Sequence, residues 1–166
     1  MIYSAQETSS GLSPSAVPFF ARPDILEDGA LLARWYVLYR LDEEIQRAHR
    51  YQRPLSLLVA TPAPPLGKRP SAAAPRVGAA TARATARPTD LLGWLGHGSF
   101  LVVMPETTEA EASEVIPRWR AEMWLRTRQV GGVEWRFRVL ENPGSLEQAE
   151  RFIEAATEQL AQKVAS

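Results

Sequence analysis

Few side chains in this sequence could perform covalent or metal chemistry. The chain of 166 residues has no cysteine and only two histidines, His49 and His97. It therefore lacks a thiolate nucleophile, a disulfide framework and the ligands for a cysteine or histidine zinc centre. His97 has no acidic residue beside it, which favours a turn residue over a catalytic base. Ser99 lacks the flanking glycines of a nucleophile elbow.

Two glycine-containing segments come nearest to nucleotide-binding motifs, and both depart from them. In Gly96-His97-Gly98 the third glycine of a dinucleotide fingerprint is replaced by Leu101. Gly67-Lys68-Arg69 has neither the earlier glycine nor the following Ser or Thr of a phosphate loop. These residues predict no cysteine or histidine metal centre and no dinucleotide or phosphate-loop site, and we predict no cofactor.

The formal charges sum to zero, with 19 basic and 19 acidic residues, but they are unevenly placed. A balanced sum argues against a polyanionic partner. Between Ile45 and Thr89, however, no residue is acidic, whereas the following are basic: Arg47, Arg50, Arg53, Lys68, Arg69, Arg76, Arg83 and Arg87. This distribution permits an anionic ligand. Nucleic acid is not the ligand we predict; a binder of that kind would show a steep salt dependence.

The composition is that of one globular domain with a leader. Residues 1–23 are rich in Ser, Pro and Ala and lack a helical or strand period, so they are predicted to be disordered, with a single domain over residues 24–166. No apolar run approaches the roughly 18 residues that span a bilayer, and the N-terminus lacks the layout of a signal peptide. We therefore expect a cytoplasmic protein with no membrane partner.

An amphipathic helix is predicted from about Asp28 to Tyr51. Its apolar positions recur at steps of three and four: Leu31, Trp35, Leu38, Leu41, Ile45 and Ala48. Arg53-Pro54 ends this helix, and residues 55–60 read as a strand buried on both faces. Residues 61–89 are rich in Pro and Ala without a large apolar period, so they are predicted to be a long loop in which residues 79–86 could form a short helix.

The second half of the chain alternates strands and helices. Two apolar runs at 91–95 and 100–104 flank Gly96 to Gly98, which predicts a β-hairpin with its tip at these glycines. Thr108 and Glu111 form a capping box at the start of a helix that contains Pro117. An alternating strand over 133–139 and a last helix after Ser145 follow. This order predicts an α+β sandwich, a mainly antiparallel sheet flanked by helices. The tryptophans at 35, 94, 119 and 135 are expected in its core.

Two separated segments of the chain resemble GGDEF domains, the diguanylate cyclase family. The segment 41–58, which includes Arg50-Tyr51-Gln52-Arg53-Pro54, is similar to the first helix and strand of that family. Gly96-His97-Gly98-Ser99-Phe100, followed by an apolar strand and Pro105-Glu106-Thr107, is similar to its signature hairpin. The similarity covers roughly residues 30–126, and the two motifs occur in the right order on the expected elements. It implies a nucleotidyl-cyclase-like α+β fold.

The resemblance also implies an enzyme that joins two GTP molecules into cyclic di-GMP with Mg²⁺ held by carboxylates. In this sequence the metal aspartates of the family fall on Thr61 and Ala63, and the two acidic residues of the signature fall on Gly98 and Ser99. We therefore expect a degenerate signature at Gly96, His97, Gly98, Ser99 and Phe100, and a domain without cyclase activity.

One functional feature of the family is retained. Members often carry an Arg-x-x-Asp product-binding site five residues before the signature, and Arg87-Pro88-Thr89-Asp90 stands at that distance. A further arginine of the family's site corresponds to Arg118. The guanidinium of Arg87 can stack on a guanine base or bind a phosphate, and the carboxylate of Asp90 can accept hydrogen bonds from the guanine edge.

Two hypotheses about function follow. The first is a bacterial signalling pseudoenzyme that acts as a cyclic di-GMP receptor through Arg87, Asp90 and Arg118. The alternative is a ligand-independent scaffold derived from a GGDEF domain. In either case the protein partner is unidentified, and it could be a second copy of the chain.

Overall fold

The fold is an α+β arrangement, seen in a computed structural model that describes residues 26–27, 31–63 and 71–162. The leader predicted over residues 1–23 lies outside the described residues. The elements are, in chain order, β1 (Leu26–Glu27), β2 (Leu31–Leu32), α1 (Arg34–Tyr51), β3 (Leu55–Ala63), α2 (Ala73–Thr85), β4 (Leu91–Gly96), β5 (Ser99–Pro105), α3 (Glu109–Thr127), a 3-10 turn (Arg128–Val130), β6 (Glu134–Glu141) and α4 (Leu146–Gln162).

One sheet joins all the described strands, in the order β1-β2-β4-β5-β3-β6. Every neighbouring pair is antiparallel except β2 with β4. Successive side chains of β3 point to opposite faces, so Leu58 and Ala60 enter one core cluster while Leu57 and Val59 enter the other. The first cluster packs against α2 and α3, and the second against α1 and α4. The predicted α+β class and the mainly antiparallel sheet are confirmed.

The prediction that residues 61–89 are mostly a loop was wrong for 61–63 and 73–85, whereas the short helix expected at 79–86 falls mostly within a helix of the structure. Strand β3 continues to Ala63, and residues 73–85 form helix α2. This helix buries small residues, among them Ala74, Ala79 and Ala82. Alanine is the strongest helix former, but a face built from alanines leaves no periodic pattern of large apolar residues.

The start of the first helix was also placed too early. Residues 31–32 belong to β2, and α1 begins only at Arg34. The buried face of α1 includes Tyr36 and Val37, whereas Trp35 is 55% exposed, contrary to the prediction that it lies in the core. A Cβ at Gly93 would lie 2.4 Å from the Val37 Cβ, which shows how closely α1 approaches β4. The other three predicted core tryptophans, at 94, 119 and 135, are buried as expected.

The predicted hairpin and capping box are confirmed. Strands β4 and β5 are joined by a turn in which His97 and Gly98 have positive φ values of 52° and 78°. The hydroxyl of Thr108 accepts a hydrogen bond from the backbone N–H of Glu111, and the Glu111 carboxylate accepts one from the backbone N–H of Thr108. Helix α3 runs on through Pro117 to Thr127.

Candidate functional site

The structure brings Arg87, Asp90 and Arg118 to one cavity of about 540 Å³. Arg87 and Asp90 lie in the turn between α2 and β4, and Arg118 projects from α3. Thr107, at the end of the hairpin, and the buried Trp119 also line this cavity. Ligand sites of drug-sized molecules are commonly about 300 to 1,000 Å³, so this cavity is large enough for at least one nucleotide unit.

Asp90 is the buried acid of this cavity, with only 5% of its surface exposed. Its Oδ2 accepts a hydrogen bond from the backbone N–H of Arg87 at 2.9 Å, and the backbone N–H of Asp90 donates to the Arg87 carbonyl at 3.1 Å. Its Oδ1 is buried and accepts no hydrogen bond from any described residue. A buried carboxylate oxygen without a donor is unfavourable, so this atom has unused capacity to bind a donor from a ligand.

The exposed side chain of Arg87 contacts the end of the hairpin. Its Nη1 donates to the hydroxyl of Thr107 at 3.4 Å, and that hydroxyl donates to the Pro105 carbonyl at 2.9 Å. Arg83 also reaches this turn, since its Nη1 lies 3.4 Å from the carbonyl oxygen of Asp90. The turn therefore presents the guanidinium of Arg87 at the cavity, while the guanidinium of Arg83 contacts the backbone of the turn.

Two acids that sequence reasoning missed also line the cavity. Glu111 and Glu114 lie on α3, on the same side as Arg118. The pKa of Glu111 is lowered, chiefly by the backbone N–H and hydroxyl of Thr108, and to a smaller extent by the charge of Arg87. Glu114 precedes Arg118 by one helical turn, and this spacing could have identified it. The cavity therefore offers acceptors for ligand N–H groups as well as two guanidinium groups.

Burial raises the pKa of Asp90 above its ordinary value of 3.8; the Arg87 backbone N–H and the charges of Arg87 and Arg83 oppose this shift. Between the ordinary and the raised value, the folded carboxyl keeps a proton that the unfolded one has released. We therefore expect the contribution of Asp90 to the free energy of unfolding to fall as pH rises through this window. The neutral variant Asp90→Asn should gain stability relative to the wild type as pH rises, measured by urea denaturation of both proteins. A stability difference that does not vary with pH would contradict this assignment.

The signature positions lie elsewhere, at the tip of the β4–β5 hairpin. Ser99 and Thr61 are both buried, and the Ser99 hydroxyl donates to the Thr61 hydroxyl at 3.1 Å. The structure thus joins two positions that the resemblance assigned to acidic residues. Phe100 packs against Trp94 and Trp135 in the core, with ring centroids 6.4 and 5.4 Å apart.

None of the remaining positions of this region carries an acidic side chain. Ala63 is buried, Gly96 has a φ of 101°, and His97 is exposed at the turn. A Cβ at Gly98 would lie 2.8 Å from Pro75 Cγ and 3.1 Å from Pro62 Cγ. Pro75 and Pro62 therefore occupy the space beside Gly98 into which a larger side chain would project.

The described residues show neither a cluster of metal ligands nor a membrane-spanning helix. In residues 26–27, 31–63 and 71–162, no three His, Asp or Glu side chains are grouped so that they could bind a metal ion. None of the helices described is both long and apolar enough to cross a membrane.

Comparison with known proteins identifies the fold. No protein-family model matches the chain, and no curated protein matches it by sequence. The structure is similar to the GGDEF domain of DgcB from Caulobacter crescentus, solved in complex with c-di-GMP, with a TM-score of 0.70 and 16% identity over 81% of this chain and 86% of that one.

Two further solved structures of GGDEF proteins are similar to this chain. Diguanylate cyclase SiaD from Pseudomonas aeruginosa, in complex with its activator SiaC, has a TM-score of 0.68 and 23% identity over 80% of this chain and 56% of that one. A microbial GGDEF domain studied with cyclic di-GMP has a TM-score of 0.65 and 16% identity over 82% of this chain and 92% of that one. The chain therefore has the fold of GGDEF domains, and the resemblance found in the sequence is confirmed for the fold.

Proposed function

We propose that this domain is a receptor for cyclic di-GMP, with Arg87, Asp90 and Arg118 as its ligand-binding residues and without cyclase activity of its own. The observation that carries the proposal is Oδ1 of Asp90, a buried carboxylate oxygen without a donor at a cavity that also holds two arginines. Solved neighbours of this fold include domains in complex with c-di-GMP.

The ligand chemistry matches the three side chains. Guanine presents N1–H and N2–H₂ as adjacent donors, and Oδ1 of Asp90 can accept from this edge. The planar guanidinium of Arg87 can stack on the base or donate to a phosphate, and Arg118 can donate to a phosphate from α3. A guanine edge and a phosphate of the ligand then each meet a partner of opposite character in the same cavity.

The residues present do not fit the magnesium site of a cyclase. Magnesium is held by hard oxygen ligands, principally carboxylates and phosphates. Thr61 and Ser99 supply only neutral hydroxyls, which hydrogen-bond to each other. Ala63 supplies no ligand, and an acid at position 98 would collide with Pro75. These residues support the absence of cyclase activity, and we derive no step through a metal here.

We expect the protein to form no cyclic di-GMP from GTP in the presence of Mg²⁺, because no carboxylate is available where the metal would be needed. The measurement is chromatographic detection of product after prolonged incubation, with an active diguanylate cyclase as the positive control. Product above the enzyme-free blank would contradict the proposed absence of cyclase activity. The proposed binding of cyclic di-GMP is tested separately, by calorimetric titration.

A ligand-independent scaffold remains the second candidate. It is favoured by one observation, the exposure of large apolar side chains on α3, where Trp124 is 50% and Leu125 is 56% exposed. A pull-down that retains the same partner with and without nucleotide, and that is unaffected by Arg87→Ala, would favour the scaffold over the receptor.

A further inference from the structure

Helix α1 carries three aromatic rings in mutual contact near its N-terminal end. The buried ring of Tyr36 meets Trp35 edge-on, with ring centroids 5.4 Å apart, and stacks on Tyr39, with centroids 6.3 Å apart. The two outer rings are about half exposed, Trp35 at 55% and Tyr39 at 56%. Unlike a single exposed apolar residue, such a group forms a patch of the kind that marks an interaction site. We call these three residues the aromatic cluster of α1.

The N-terminal segment, residues 1–25, is joined to the sheet beside this cluster. It leads into β1, which is antiparallel to β2 with Leu26 opposite Leu32. In an antiparallel pair, the chain before Leu26 continues alongside the chain after Leu32, which is the start of α1. The segment therefore enters the fold next to the first turn of the helix that carries the cluster.

This segment, which lies outside the described residues, contains one pair of adjacent aromatic side chains. Phe19 and Phe20 stand between Pro18 and Pro23. Two phenylalanine rings bury a large apolar area when they meet other aromatic rings. The prolines restrict the free chain, which lowers the entropy lost when the pair is held in one place.

The length of chain between this pair and the sheet fits contact with the cluster. An extended residue spans at most about 3.3–3.6 Å, so the six steps from Phe20 to Leu26 reach about 20 Å. From Leu32, at most about 10 Å of chain leads to Trp35, and one further helical turn of about 6 Å leads to Tyr39. Both exposed rings therefore lie within reach of the aromatic pair.

We propose that Phe19 and Phe20 dock on the aromatic cluster of α1, so that the N-terminal segment of the same chain covers Trp35 and Tyr39. A tethered segment acts at an effective concentration of about millimolar, well above that of a second copy in a dilute sample. This inference does not rest on the nucleotide proposal. Its test is made without nucleotide, so that either proposal can fail alone.

The test places a nitroxide spin label in the N-terminal segment of the full chain. The chain has no cysteine, so Ser15→Cys provides a single attachment site, four residues before Phe19. The label broadens the amide signals of residues near it, and the chemically reduced label provides the reference spectrum. We expect selective loss of the amide signals of residues 34–42 on α1, unchanged on dilution. The signals of α3, which packs on the other face of the sheet, should be retained.

Two sets of substitutions remove the contact from either side. Phe19→Ser combined with Phe20→Ser should restore the signals of α1, because the segment then has no aromatic pair to dock. Trp35→Ala should restore them as well. Trp124→Ala is the matched control, since Trp124 is a half-exposed tryptophan on α3, and the loss of the α1 signals should persist in this variant.

Three results would overturn the proposal. The first is broadening on α1 no stronger than on α3, and the second is broadening that persists when both phenylalanines are replaced. The third is broadening of an isotope-enriched chain without a label by a labelled chain mixed with it, which would mean that a second copy covers the cluster. The double phenylalanine variant leaves the described domain unchanged, so it decides the question even if Trp35→Ala fails to fold.

Discussion

Replacing Asp90 with asparagine will weaken the binding of cyclic di-GMP by at least about tenfold, measured by calorimetry. Hydrogen bonds to charged groups contribute about 1.5–3 kcal/mol, and the variant removes the charge while keeping the shape of the side chain. The amide oxygen can still accept from the Arg87 backbone N–H, so the turn should be preserved. Asp42→Asn, on α1 and away from the cavity, is the matched control and should bind as the wild type does.

Arg87→Ala should weaken binding by a similar factor, because the variant removes the guanidinium that is held at the cavity by Thr107. Arg50→Ala is its control, since Arg50 is exposed on α1 and does not line the cavity. If Arg50→Ala weakened binding as much as Arg87→Ala did, the ligand would be held by general positive charge rather than by the site. Unchanged binding in Asp90→Asn and in Arg87→Ala would place the nucleotide elsewhere.

Gly78→Ala should destabilise the protein by about 2 kcal/mol or more, although alanine is the better helix former. A Cβ at position 78 would lie 2.1 Å from Cζ2 of Trp135, a fully buried side chain that also packs against Phe100. Overpacking of a core typically costs about 1–3 kcal/mol. The measurement is urea denaturation.

The control for this prediction is Ala80→Gly, on the exposed side of the same helix. Glycine should cost about 1 kcal/mol there through helix propensity alone. We therefore expect opposite preferences at the two positions: alanine is more stabilising than glycine at position 80, and glycine is more stabilising than alanine at position 78. A Gly78→Ala protein more stable than the wild type would mean that α2 does not pack on Trp135 as described.

The parts of the fold that large apolar residues specify could be predicted from the sequence. The hairpin of β4 and β5, the capping box of α3 and the strand β3 each have a local signal, in the form of glycines between apolar runs, Thr108 with Glu111, or a continuous apolar run. Beyond the short helix expected at 79–86, helix α2 had no such signal, because it packs through alanines and Gly78. Its place in the core depends on Trp135, which is distant in the sequence and whose contact no local pattern reveals.

The clustering of the three candidate side chains was predictable for a different reason. Arg87, Asp90 and Arg118 were identified through their spacing from the signature in a family resemblance, and the structure places all three at one cavity. What the sequence could not indicate is the burial of Asp90 and the absence of a donor at its Oδ1, since both depend on how the turn after α2 meets the hairpin. Thr107, which orients Arg87, was missed because a threonine before a helix is ordinarily interpreted only as part of a turn or cap.

The most direct test of the receptor function is titration of the full chain with cyclic di-GMP. Binding is measured both by calorimetry and by changes in amide chemical shifts. Cyclic di-AMP serves as the control ligand, since adenine lacks the N1–H donor that Asp90 is proposed to bind. We predict affinity for cyclic di-GMP of about micromolar or tighter, with the amides of Arg87, Asp90 and the part of α3 around Arg118 shifting together. A flat titration with an unchanged spectrum, or equal binding of the two dinucleotides, would contradict the proposed function.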